Sequence, residues 1–143
     1  MQVKKVKEKA AFDESLKTPG KKFLAENAKK EGVVVLPSGL QYRIIKKGNG
    51  RIPKDTSMVK VNYEGRTIDG NIFDSSFKRN EPLNLRCNQT IKGWTEAMTL
   101  MPEGSVWEIY IPENLAYGER EVGNIKPFST LIFKVQLIKI IKL

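Results

Sequence analysis

Tyr63, Phe73, Ile91, Trp94 and Phe133 fall on the inward positions of the strands and the helix that the sequence predicts, and Tyr117 sits on a loop after a strand. That is a dense set for a chain in which only 8% of residues are Phe, Trp or Tyr. Two readings compete. Large apolar side chains at these periods ordinarily fill a core. The same set can also line an apolar cup with a few polar handles: the Asp74 carboxylate, the Tyr63 and Tyr117 hydroxyls and the Arg79 guanidinium. The chain has no histidine and one cysteine, Cys87. Histidine triads, histidine general bases and histidine metal sites are therefore excluded, and one cysteine cannot build a zinc centre. No metal and no cofactor is expected. Cys87 cannot form an intrachain disulfide, and with only Arg86 beside it the thiol reads as an inert small side chain.

Positioning these residues requires a sheet and one helix. The helix is predicted over Gln89–Met101, where Trp94, Ala97, Met98 and Met101 recur at i, i+3, i+4 and i+7 and form one apolar stripe. Pro102 ends it. Gly93 removes a side chain where the helix must approach another element. After Ser38 the remaining elements are strands and turns. Leu40, Tyr42 and Ile44 alternate with polar neighbours; Val59, Val61 and Tyr63 face one way and Lys60, Asn62 and Glu64 the other. Asp69-Gly70 predicts a type I′ hairpin turn, from which Asn71 to Ser75 returns antiparallel, carrying Ile72 and Phe73-Asp74. Leu83-Asn84-Leu85, Ser105–Ile111 and Thr130–Ile141 complete the set. Hairpins and loops join the strands, with no repeated βα unit. The expected fold is therefore α+β: a mainly antiparallel sheet with one short helix on its concave side.

Residues 1–37 differ in composition, being lysine-rich and without strand alternation. Thr18-Pro19-Gly20 predicts a break, followed by a helix from Lys21 to Lys30 with Phe23, Leu24, Asn27 and Ala28 towards one side and Gly32 as its stop. The division expected is a basic helical extension over 1–37 and one domain over 38–143. The net charge is +9, from 25 Lys and Arg against 16 Asp and Glu. The lysines are dispersed and not interleaved with aromatics, so a solvated surface is the expectation and nucleic acid is not an expected partner. Met1 to Lys7 has no apolar signal-peptide core, and no apolar run reaches the length of a membrane span. A periplasmic or cell-envelope location is expected if a leader was removed, and a cytoplasmic one if the chain is complete.

Val61-Asn62-Tyr63-Glu64-Gly65, Asp69-Gly70, Phe73-Asp74-Ser75-Ser76, Ile91-Lys92-Gly93-Trp94, Ala116-Tyr117-Gly118 and Leu131-Ile132-Phe133 follow one another in the order and near the spacing of the FKBP-type peptidyl-prolyl cis-trans isomerases. The chain resembles that family from about Ser38 onward. Phe23 to Val33, with Ser38-Gly39-Leu40-Gln41-Tyr42, is similar to the bacterial subgroup around the macrophage infectivity potentiators, which carry a helical dimerisation region, an interdomain helix and an isomerase domain. The resemblance implies a five- to six-stranded antiparallel half-barrel wrapped around the Trp94 helix. It implies pocket roles for Tyr63, Phe73, Asp74, Arg79, Ile91, Trp94, Tyr117, Ile125 and Phe133. Leu83 stands where many members have Phe, and Thr90 where Val is common. Asp74, Tyr117 and Tyr63 are the implied catalytic residues, with Asp74 orienting the Tyr63 hydroxyl.

The resemblance also implies a reaction that needs no histidine, because rotating an X–Pro bond breaks no covalent bond. The partners it implies are proline-containing peptides, unfolded or folding proteins, and macrolide inhibitors. A non-catalytic proline-binding or chaperone module is the alternative. The charged stretch before Lys21 has few apolar residues for an interface, so a monomer or weak dimer is expected of this chain, with a fuller N-terminus in the native protein if it is truncated.

Overall fold

A computed structural model describes the backbone from Gln2 to Leu143 and the side chains from Lys9 onward. In chain order the elements are α1 (Gln2–Asn27), β1 (Val33–Val35), β2 (Gln41–Lys46), β3 (Met58–Thr67), β4 (Ile72–Ser75), α2 (Ser76–Arg79), β5 (Leu83–Arg86), α3 (Lys92–Met98), β6 (Val106–Ile111) and β7 (Leu131–Lys142). The strands form one antiparallel seven-stranded sheet in the order β1-β2-β6-β7-β3-β4, with β5 also paired to β3. This is the expected α+β architecture with one strand more. The addition, β1, comes from the stretch assigned to the extension and pairs Val33 with Arg43 and Val35 with Gln41. None of the helices described is long and apolar enough to cross a membrane.

The core forms where the alternating strands meet the helix stripe. Val59, Val61 and Tyr63 of β3, Trp107, Ile109 and Ile111 of β6, and Leu131, Phe133, Val135 and Leu137 of β7 are buried on the inner face. Trp94, Ala97, Met98 and Met101 cover them. The helix is shorter than the predicted Gln89–Met101: Cys87–Gln89 forms a separate 3-10 turn, and Met101 packs from the turn that follows α3. A Cβ on Gly93 would lie 2.5 Å from Ile111 Cγ2, so the absent side chain sets how closely α3 approaches β6.

Three local expectations are corrected. The first concerns Pro19, read as a break but lying inside α1, which continues to Asn27. Proline withholds one helical hydrogen bond, yet docking fixes the helix across that point. A Cβ on Gly20 would lie 2.2 Å from Thr130 Oγ1, Lys17 Nζ sits 4.8 Å above the Phe128 ring, and Phe23 is 6.1 Å from Tyr110. At the helix end, buried Asn27 donates to Gln41 Oε1 at 2.8 Å, and Gln41 Nε2 donates to the Leu24 carbonyl at 2.9 Å. α1 thus lies on the outer face of the sheet, where Tyr110 and Ile132 pair and are buried.

The second is the turn at Asp69-Gly70. Only Gly70 has positive φ, at 92°, and its N–H donates to the Thr67 carbonyl. A type I′ turn needs positive φ at both central residues; this pattern is a three-residue loop with a left-handed glycine. The third is Ile44, read as inward but 46% exposed. Its strand runs past the end of the core after Tyr42, which stacks on Trp107 at 4.2 Å.

Candidate active site

The inner face narrows to a cavity of about 190 Å³ lined by Tyr63, Phe73, Asp74, Leu83, Leu85, Thr90, Ile91, Trp94, Tyr117 and Phe133. Its floor is the Trp94 indole. Tyr63 and Phe133 each meet it edge-on with ring centroids 5.2 Å away, at 80° and 90°. Phe73 in turn meets Phe133 edge-on at 5.5 Å. Edge-to-face pairs suit the ring quadrupoles and hold each ring in one orientation. Gly65 makes this possible: a Cβ there would lie 2.6 Å from both Phe73 and Phe133.

One wall is polar. Ser75 caps α2 by accepting from the Lys78 N–H at 3.2 Å, and Asn80 ends that single turn in the left-handed region at φ 56°. Ser76 Oγ accepts from the Tyr63 N–H at 2.7 Å and donates to Asn62 Oδ1 at 2.9 Å, tying the turn to β3. This fold-back brings Arg79 to Asp74, where Nη1 donates to Oδ1. The Tyr63 hydroxyl donates to Asp74 Oδ2 at 2.5 Å and accepts from Arg79 Nη2 at 3.2 Å. Partial burial pushes the Asp74 carboxyl up, but the hydrogen bonds from Tyr63 and Arg79 outweigh it and hold the group below the usual carboxylate range. Burial, reinforced by the bond to Asp74, pushes the Tyr63 phenol up. Asp74 is therefore an anion and Tyr63 a neutral donor around neutral pH, which suits orientation rather than proton transfer.

The opposite rim is less engaged. Tyr117 follows the 3-10 turn Glu113–Leu115 and sits at a corner where the Gly118 N–H donates to the Glu113 carbonyl at 2.9 Å. The pocket's hydrogen bonds engage Tyr63, Asp74 and Arg79 but leave the Tyr117 hydroxyl unused among the described residues. Ile91 caps α3: its carbonyl accepts from the Trp94 and Thr95 N–H groups at 3.0 and 3.2 Å, while its own N–H has no acceptor among the described residues. The Trp94 indole N–H is likewise buried without a partner. Thr90 Oγ1 and Thr95 Oγ1 donate to the Cys87 carbonyl at 2.9 and 2.6 Å, bracing the segment before Ile91. Burial pushes the Cys87 thiol up.

Of the residues singled out from the sequence, Tyr63, Phe73, Asp74, Leu83, Thr90, Ile91, Trp94, Tyr117 and Phe133 line the cavity. Arg79 reaches it only through Asp74 and Tyr63. Ile125 is not among the residues that line the cavity; it is buried in the same core cluster as Tyr63, Trp94 and Phe133 and is bridged to Val122. Leu85 was missed; it stands two residues along β5 from Leu83, and that period-2 spacing was the available signal. No group of three or more His, Cys, Asp or Glu among the described residues is placed to hold a metal ion.

Comparison with known proteins agrees with this geometry. The family profile "FKBP-type peptidyl-prolyl cis-trans isomerase" matches residues 49–138, and "Domain amino terminal to FKBP-type peptidyl-prolyl isomerase" matches residues 1–44. The chain is 54% identical over 129 residues to the FKBP-type 22 kDa peptidyl-prolyl cis-trans isomerase of Escherichia coli K12, covering 90% of this chain and 63% of that protein. It is 51% identical over 130 residues to the outer membrane protein MIP of Legionella longbeachae, covering 90% of this chain and 56% of that one. The crystal structure of FkpA from Escherichia coli superposes with a TM-score of 0.85 at 40% identity, covering 95% of this chain and 62% of that one. A peptidyl-prolyl cis-trans isomerase from Pseudomonas syringae superposes at 0.83 and 36% identity, covering 89% and 94%. The chain spans about 56–63% of the length of the first two curated relatives. An aromatic cup floored by one tryptophan, on a sheet that superposes this closely, accords with a profile match over most of the strands, and the chain belongs to the FKBP-type peptidyl-prolyl cis-trans isomerase family.

Proposed function

We propose that this chain accelerates cis-trans rotation of X–Pro bonds in peptides and folding proteins, with the prolyl ring on the Trp94 indole. The observation that carries this is the cup itself: three edge-to-face aromatic contacts around a 190 Å³ cavity, with unused donors at its rim. The uncatalysed barrier of about 18–20 kcal/mol comes from amide resonance. Twisting the bond removes that resonance and the charge separation it carries. A dry apolar cup therefore favours the twisted amide over the planar one, which water solvates better. The Tyr117 hydroxyl or the Ile91 N–H holds the substrate carbonyl as it turns. Uncatalysed rotation takes tens of seconds, so millisecond turnover needs about 5 kcal/mol, within reach of desolvation and a few oriented bonds.

Asp74, Tyr63 and Tyr117 are the polar residues assigned to catalysis. Asp74 and Tyr63 fix each other, and Tyr117 touches substrate. Macrolides such as rapamycin compete for the same cup. The division at 37/38 into an extension and an isomerase domain, and a cell-envelope location like that printed in the name of the Legionella relative, belong to the same reading. The test is NMR exchange on an X–Pro peptide with catalytic amounts of protein. Faster exchange is expected; shifted resonances without faster exchange would mean a binder and overturn the proposal. Tyr117→Phe is expected to lower kcat/KM about five- to tenfold, the worth of one hydrogen bond, while leaving the fold intact by NMR.

A further inference from the structure

Beside the cup lies a larger cleft of about 660 Å³, walled by α1, the β3–β4 hairpin and the loop over 124–130. Phe73 lines both spaces. The two spaces therefore share one wall residue, on the strand at the edge of the sheet. We propose that this cleft is an accessory subsite for the extended polypeptide flanking the target proline. The proposal rests on the isomerase reading of the cup.

Size separates the two spaces. At 190 Å³ the cup has room for the X–Pro unit and little more, whereas the cleft falls within the range of about 300–1,000 Å³ that ligand sites occupy. Its chemistry suits a peptide. Leu16, Pro19 and Ile72 supply apolar surface, and Asn71 and Asn124 supply amides. Pro19 has no N–H to donate, so the Ser15 carbonyl lacks its helical partner, and both residues line the cleft. On the far side β4 is the last strand of the sheet and pairs only with β3, so its outer main-chain groups have no strand partner. An extended segment that lies against such an edge gains main-chain hydrogen bonds whatever its sequence. Lys126 and Asp69 both line the cleft, so neither sign of charge dominates. The helical wall is held in place by the Gly20–Thr130 approach and by Lys17 over Phe128.

The experiment compares kcat/KM of the full chain on an X–Pro tetrapeptide and on the same core extended by about six uncharged residues on each side, roughly 20 Å per flank. The extended peptide is expected to be about tenfold better, through KM. Ile72→Glu and Leu16→Glu, at partly exposed positions, are each expected to bring that ratio towards one. No length advantage, or an advantage that survives both substitutions, overturns the subsite. If neither peptide is turned over, the isomerase reading is what fails. The cleft is then decided by amide shifts at Asn71, Asn124 and Thr130 when the long peptide is titrated: shifts there uphold it, and their absence overturns it.

Discussion

The two long-range helices of this molecule reverse the usual relation between length and importance. α1 has 26 residues and α3 has seven. An isolated seven-residue helix is unstable in water, because nucleation is costly and few bonds follow. α3 exists because Trp94, Ala97 and Met98 are buried against three strands. α1 needs no such cover: its helix is about 39 Å long at 1.5 Å per residue, and it meets the sheet and the loop before β7 through a close glycine, one amide pair and two aromatic contacts. A short helix that carries a stripe belongs to the core. A long one without a stripe is a docked attachment, and its contacts are separable from the stability of the rest.

That contrast can be broken, most severely at α3. Trp94→Ala removes the cup floor and a buried indole, at an expected cost of about 3–5 kcal/mol in urea unfolding. A loss below about 1 kcal/mol would mean that α3 is not what closes the core. Gly20→Val drives a side chain into Thr130 and is expected to cost about 1–3 kcal/mol. Its signature is local: amide shifts along α1 and around Phe128, with the cup unmoved. Should the cup residues shift as much as α1, the two regions are not separable. Asn27→Leu leaves the Gln41 carbonyl oxygen buried without its donor, at an expected cost of about 1–3 kcal/mol, towards the lower end because Gln41 keeps its bond to Leu24.

The smallest effect expected is that of pH. With no histidine, no side chain at the cup changes charge between about pH 5 and pH 8, so kcat/KM should be flat there. Asp74 has its pKa lowered on folding, so its contribution to stability is complete above the unfolded value of about 3.9 and fades as pH falls through the lower folded value. A drop in kcat/KM centred near neutral pH would contradict the assignment of polar roles.

How far this was legible from the residues differs between the two helices for the same reason. The α3 stripe sits within eight consecutive residues, so local periodicity reveals it. α1 was cut at Pro19 because the rule for proline is local, whereas what carries the helix across that point is Thr130, more than a hundred residues away. Asp69-Gly70 identified a hairpin but not its type, since both turn classes use that pair and the φ of Asp69 decides. The alternation that placed Tyr63 and Phe133 inward also placed Ile44 inward, because periodicity does not say where a strand leaves the core. The aromatic cup was half visible as a set of residue types. The cleft was not visible at all, being assembled from three segments distant in sequence.

The position of β7 has a consequence for how this protein is made. It lies in the middle of the sheet, between β6 and β3, yet it follows all the other strands of that sheet in sequence. While synthesis has reached only Thr130, β3 and β6 each lack a neighbour and the inner face lacks Leu131, Phe133, Val135 and Leu137. The indole floor then has one of its two aromatic walls missing. Closing β7 onto β3 joins residues some 70 positions apart, as in the pairing of Asn62 with Gln136, and contacts of such separation form slowly and late. A ribosome-bound chain halted before β7 should therefore remain protease-sensitive and unable to bind proline, and both properties should change together when the final strand emerges.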